Sequence, residues 1–260
     1  MNPRLFAVGV LVASSPAVLP LAALADCGVQ SGPNRAALVE LYTSEGCSSC
    51  PPADQKLGRL KQALEPAAAA VPLALHVGYW DYLGWTDPFA QAGFAERQRW
   101  LVDANHRGVV YTPEFFVSGT ELDAWQKDLR DEVQRVNASP AEADIRIEAN
   151  IETNDRLVVT AQATARGHGD RTALYVAVAE SGLVSRVTRG ENGGATLTHD
   201  HVVRAWVGPI PLAGGTARVR SRIALPASWN RARLEVAGFV EDESSGRVLQ
   251  AAATRRCFRS

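Results

Sequence analysis

The sequence lacks an excess of charge of either sign. Among 260 residues, 27 lysines and arginines stand against 28 aspartates and glutamates, a formal net charge of −1. With no basic stripe, nucleic acid and anionic membrane surfaces are not expected as partners. Past the first 25 residues no segment is apolar enough to span a bilayer. Internal repeats and low-complexity tracts are also missing. Cysteine is scarce: there are four, and they are not spaced as the two C-x-x-C pairs of a four-thiolate zinc site.

What is present begins with an export signal. Arg4 precedes an uncharged, largely apolar run over residues 5–24, and Ala23-Leu24-Ala25 has the small-x-small pattern of a cleavage site. Residues 1–25 therefore read as a signal peptide cut near Ala25, and the protein as periplasmic or secreted. Ser14, Ser15, Pro16 and Pro20 interrupt the run and weaken a membrane-anchor reading. Leu24-Ala25-Asp26-Cys27 has the outline of a lipobox, but Asp26 is charged where a small residue belongs.

The remainder is long enough for two domains. Over residues 35–136 strand-like runs alternate with helix-like ones. Residues 37–42 and 71–77 read as strands, and Ala53, Leu57, Leu60 and Leu64 recur at helical spacing. Residues 108–111 and 114–117 read as short strands around Thr112-Pro113. Leu122, Trp125, Leu129, Val133 and Val136 mark a last helix, with Thr120 and Asp123 in the pattern of a capping box. This order predicts an α/β thioredoxin-like domain over residues 26–138. From residue 139 the period becomes two, as in Ile145, Ile147, Ala149 and Ile151, and turn clusters separate about seven short strands. That pattern predicts an all-β immunoglobulin-like sandwich over residues 139–260.

The chemistry-bearing motif is Cys47-Ser48-Ser49-Cys50, placed after a strand and before a helix. At a helix N-terminus unpaired N–H groups and the macrodipole stabilise a thiolate, so Cys47 is expected to attack and Cys50 to resolve. A metal site or an inert bridge remains open for the same pair. Thr112-Pro113 is expected as a cis bond facing the dithiol, where it would position an extended peptide. Trp80, with Tyr79, Tyr82 and Trp85, either packs as a small core or rims a substrate groove. Glu40 is a candidate proton shuttle or a capping carboxylate, and His76 reads as structural. His199-Asp200-His201 invites a metal reading, since residues two apart on a strand share a face; a polar strand edge is the plainer one. Cys27 and Cys257, each without a local partner, are expected to form a terminal structural disulfide.

Residues 40–54 (Glu-Leu-Tyr-Thr-Ser-Glu-Gly-Cys-Ser-Ser-Cys-Pro-Pro-Ala-Asp) resemble the signature of a secreted bacterial family known as domain of unknown function 1223. So do residues 77–89, the Thr112-Pro113 segment, and Glu191-Asn192-Gly193-Gly194 running on to residues 199–204. The resemblance implies an architecture, thioredoxin-like plus β-sandwich, and no substrate. The expected function is a thiol–disulfide oxidoreductase acting on exported proteins with thiols or disulfides, with a membrane redox partner and no cofactor. A metal-binding or metal-delivery protein, or a non-enzymatic binding protein, are the alternatives.

Overall fold

In the computed structural model, residues 27–258 are described except 67, 153, 166 and 168–170. The leader read over residues 1–25 lies outside them. The first half contributes β1 (Cys27–Gln30), β2 (Ala37–Thr43), α1 (Pro51–Gly58), α2 (Leu60–Ala63), β3 (Ala70–His76), α3 (Ala92–Ala104), β4 (Glu114–Val117), β5 (Thr120–Glu121) and α4 (Trp125–Asn137). The second half adds β6 (Ala143–Glu152), β7 (Arg156–Ala165), β8 (Thr172–Glu180), β9 (Leu183–Arg186) and β10 (Thr196–His199). It closes with β11 (Val202–Pro211), β12 (Thr216–Ala224), β13 (Leu234–Asp242) and β14 (Val248–Ala253).

Every residue of β2 is buried, and so is β3 after its first residue. Strands apolar on both faces need cover above and below and a neighbour on each edge. β2 and β3 pair in parallel, with α1 and α2 in the crossover between them, and β4 adds antiparallel to β2. The other edge of β3 is taken by β11, through the parallel pair Val202 and Ala74 and a 2.8 Å bond from the Ala74 N–H to His201 O. The result is one eight-stranded sheet in the order β14-β13-β8-β11-β3-β2-β4-β5.

This overturns the expected succession of a thioredoxin-like α/β domain and a separate immunoglobulin-like sandwich. The described residues hold fourteen strands and four α-helices, and the largest sheet draws strands from both sides of residue 139. Periodicity marked most strands in place but carried no information about which edges join. Residues 108–111 form no strand, and α4 has Ala124 as N-cap with no side-chain capping bond, so the Thr120–Asp123 box does not form.

Helices α1 and α4 cover one face of the large sheet, Leu57, Leu129 and Val133 meeting Val39, Leu41 and Phe115. On the other face α3 brings Phe94, Leu101 and Val102 against Leu38, Tyr42 and Phe116. Burying a leucine or phenylalanine contributes roughly 1.5–3 kcal/mol. A second, four-stranded sheet, β1-β6-β7-β12, packs Ile145, Ile147, Val159 and Ala161 on Leu174, Val176 and Val236 of the large sheet. Cys27 of β1 is bonded to Cys257, with Cα atoms 5.4 Å apart across 230 positions of sequence. At the centre, Glu40 of β2 and Glu241 of β13 grip Arg97 of α3 from two sides, with bonds of 2.7–3.1 Å. Glu40 is therefore a buried ion-pair partner, and the shuttle reading is dropped.

Candidate functional site

β2 delivers the chain into a tight turn over residues 44–50. The Gly46 N–H donates to Ser44 Oγ at 3.1 Å, the Cys47 N–H to Ser44 O at 3.1 Å and the Cys50 N–H to Cys47 O at 3.2 Å. Residue 46 must be small, because a Cβ there would lie 2.8 Å from Trp80 Cβ. Cys47 and Cys50 are joined in a disulfide, Cα atoms 5.5 Å apart, and are 2% and 0% exposed. Ser48 and Ser49 between them are exposed, and the Ser49 hydroxyl donates to Cys47 Sγ at 3.4 Å.

The turn differs from expectation in one respect. Cys50, not Cys47, is the N-cap of α1, and Cys47 sits three residues ahead of it. Pro51 and Pro52 fit the first helical positions because no N–H is needed there. The N–H groups of Ala53 and Asp54 both bond Cys50 O, at 2.9 and 3.1 Å. The helix offers a thiolate its dipole but little direct hydrogen bonding.

Thr112-Pro113 is cis, and Thr112 O lies 3.7 Å from Cys47 Sγ. The Trp80 indole N–H donates to Thr112 Oγ1 at 2.7 Å. The fold thus gathers Cys47, Cys50, Thr112, Pro113 and Trp80, which are far apart in sequence. The aromatic loop divides between its two readings. Tyr79 and Trp85 are tied inward, to Gln98 and Glu45, whereas Tyr82 is 76% exposed and stacks on Trp80 at 6.4 Å between centroids.

A third element comes from the second half of the chain. The loop joining β9 and β10 reaches over the turn. The Asn192 side-chain amide donates to Glu45 O at 2.9 Å and Cys47 O at 3.0 Å, and the Ser48 N–H donates to Glu191 Oε2 at 2.9 Å. That amide bond, with the Ser48 side chain, holds the Glu191 carboxyl below its usual range.

Behind the turn lies a buried cluster of Glu45, Asp54, His76, Asp87 and His199. His199 Nε2 is 3.1 Å from Glu45 Oε1 and its Nδ1 is 3.7 Å from Asp54 Oδ2. His76 Nδ1 is 2.7 Å from Asp87 Oδ2. Burial opposes a charged His76, but Asp87, Asp54 and Glu45 outweigh it and raise its pKa. Burial likewise opposes a charged Asp87, yet His76 and two backbone N–H groups keep it low. Burial raises Asp54, with His199 and His76 working against the rise. Among the described residues, Asp54 Oδ1, His76 Nε2 and His199 Nδ1 have no hydrogen-bond partner. Beside Pro113, Glu114 is pushed up to about 8, by burial first, with the Gln98 hydrogen bond opposing and Glu121 adding.

The shared-face geometry considered for His199-Asp200-His201 does not form. β10 ends at His199, and His201 takes a left-handed backbone with φ of 58°. His199 meets Glu45 and His201 meets Glu235, so the rings diverge. Among the described residues no group of three or more His, Cys, Asp or Glu is arranged to hold a metal. Sequence reasoning missed the roles of Glu45, Asp54, Asp87, Glu114 and Asn192. Most of these lie inside the long motifs, but only the pairing of β3 with β11 brings His199 to Glu45.

The profile of a family described as Protein of unknown function (DUF1223) matches residues 38–241. The fold resembles the crystal structure of protein AGR_C_4864 from Agrobacterium tumefaciens, with a TM-score of 0.57 and 23% identity, covering 85% of this chain and 94% of that one. It also resembles HBP35 of Porphyromonas gingivalis, with a TM-score of 0.66 and 14% identity, covering 86% and 76% of the two chains. At these identities the likeness concerns the fold alone. No curated protein matches the chain significantly.

Proposed function

Since the chain belongs to the DUF1223 family, whose function is unknown, we propose from the site itself that it is a thiol–disulfide oxidoreductase acting on exported proteins. The observation that carries the reading is the Cys47–Cys50 disulfide, set in a turn before a helix with the carbonyl of the cis Thr112-Pro113 unit against Cys47 Sγ. In the reduced protein, the Cys47 thiolate attacks one sulfur of a substrate disulfide and expels the other as a thiolate. Cys50, once deprotonated, attacks Cys47 Sγ in the mixed disulfide and releases the second substrate thiolate. Two electrons pass to the substrate, and Cys47 and Cys50 end as the disulfide; run backwards, the same steps oxidise a substrate dithiol. Cys47 is assigned the attack because its sulfur is the one that lies against the Thr112 carbonyl.

Export is part of the proposal. The leader-like first 25 residues and a second disulfide, Cys27–Cys257, both suit an oxidising compartment. The partners would be exported proteins carrying thiols or disulfides, and a membrane component that resets the couple.

The test is reduction of an insulin-type disulfide substrate, followed by trapping. Cys47→Ser should abolish turnover, and Cys50→Ser should accumulate mixed disulfides through Cys47. Wild-type protein inert in both directions, with a couple that dithiothreitol cannot reduce in the folded state, would sink the reading.

A further inference from the structure

On the α3 face of the large sheet there is a cleft of about 450 Å³, lined by none of Cys47, Cys50, Trp80, Thr112 or Pro113. That volume falls in the range of small-ligand sites. Its walls are aromatic: Trp100 of α3, Tyr175 of β8 and Trp206 of β11, with the last two rings 5.5 Å apart between centroids. The strand itself is shaped to keep the cleft open. β11 slips register between Val207 and Ile210, and within the slip Gly208 has φ of 135°, with a Cβ there falling 2.6 Å from Tyr175 Cδ1. A side chain at 208 would fill the space beside the ring.

The charge of the cleft is one-sided. Glu96 and Glu243 line it, and Glu243 accepts a 2.6 Å hydrogen bond from the Tyr175 hydroxyl. Arg97 is the one cation among the lining residues, and Glu40 and Glu241 bind it from behind. Two carboxylates thus hold the guanidinium, and two more line the cleft. The balance stays negative even where burial, against Arg97, raises Glu241 to about 7. The rings already demonstrate the chemistry they favour, since the Arg97 guanidinium carbon lies 5.1–5.6 Å from the centroids of Trp100, Tyr175, Trp206 and Phe239.

The geometry points to a binding site for a small organic cation, an ammonium or guanidinium group on an apolar body. The body packs against Trp100 and Trp206, and the charge is held by the rings and by Glu96 and Glu243. An anion meets net repulsion here, and a neutral molecule of the same shape gains only the burial of its apolar surface. The site is independent of the dithiol and stands whether or not the chain is an oxidoreductase.

Isothermal titration with benzyltrimethylammonium, its uncharged isostere neopentylbenzene, and benzenesulfonate tests the assignment on the full chain. The cation should bind saturably at one site, roughly tenfold tighter than the isostere, and the sulfonate should not bind. The Glu96→Gln/Glu243→Gln double variant, altered only at rim positions, should lose most of that preference while leaving the isostere's affinity unchanged. Trp100→Ala should weaken both ligands. Equal affinity for cation and isostere, no saturable binding at millimolar concentration, or a double variant that keeps the full preference would each overturn the proposal.

Discussion

The two disulfides lie in regions built on opposite principles. Around Cys27–Cys257 the packing is almost wholly apolar: the bond sits at the edge of a core of Ile145, Ile147, Val159, Val176 and Val236. Around Cys47–Cys50 the interior holds Glu45, Asp54, His76, Asp87, Glu114 and His199, several with unpartnered polar atoms. Buried polar atoms without partners cost about 1–3 kcal/mol each. A chain selected for stability alone would not concentrate them in one place. The contrast marks one end as scaffold and suits the other to the chemistry proposed for it.

The sharpest way to break this contrast is to remove each bond in turn. Chain-entropy reasoning credits closure of a 230-residue loop with up to about 5 kcal/mol and the Cys47–Cys50 loop with about 2. Cys27→Ser/Cys257→Ser should therefore shift the urea midpoint far more than Cys47→Ser/Cys50→Ser. Equal shifts would mean that the scaffold assignment is wrong.

A smaller effect is expected at Asn192. Its amide bonds two carbonyls of the dithiol turn, so Asn192→Ala should destabilise the protein by about 1–2 kcal/mol. It should also displace the Cys47–Cys50 reduction potential, measured against glutathione, while leaving the Cys27–Cys257 bond as resistant as before. Glu191→Gln, which removes a solvent-screened negative charge beside the turn, should ease formation of a thiolate and raise the potential by on the order of 10 mV. No change in potential from either substitution would reduce the loop to packing.

The pH dependence of stability sharpens the comparison further. Glu114, held near 8 in the folded protein, keeps its proton over a range where the unfolded chain has lost it. Its contribution is therefore favourable at low pH. It declines as pH rises from the unfolded value near 4.5 and is fully lost above about 8. Glu114→Gln should lessen the fall in urea midpoint between pH 5 and pH 8. A slope identical to wild type would show that Glu114 ionises normally.

The smallest expected effect is at Asp54, whose carboxyl is raised by burial and carries one unpartnered oxygen. Asp54→Asn should increase the melting temperature by a few degrees at neutral pH. If the cluster handles protons for Cys50, the same variant should slow disulfide exchange, in the pattern of a functional site that trades stability for activity. A less stable variant would assign Asp54 to structure.

Local patterns were legible. The C-x-x-C turn between strand and helix, the cis Thr112-Pro113 bond, the alternation in β6 and β7, and the pairing of the lone terminal cysteines could all be read from residues near one another or from simple arithmetic. The failures share a physical cause, which is that strand pairing depends on edges and not on periodicity. β3, apolar on both faces, required a second neighbour, but nothing in its residues named β11. The two-histidine face, the less plain of the two readings of His199-Asp200-His201, does not form, because the left-handed His201 turns the chain away and the two rings meet Glu45 and Glu235. Asn192 was visible only as part of a polar, glycine-rich loop, and its hold on the dithiol turn follows from the hairpin's landing place.

The bond between Cys27 and Cys257 also changes what a protease can accomplish. All but the first 26 and last three residues of the chain lie within one covalent ring. A single cut at any exposed loop within the ring linearises it without releasing a fragment, and the sheet that crosses between the halves keeps the cut ends docked. Damage would pass unseen on a non-reducing gel, and two bands would separate only once the ring was opened by reductant. If the protein is exported as proposed, such closure converts an otherwise fatal first cleavage into a survivable nick.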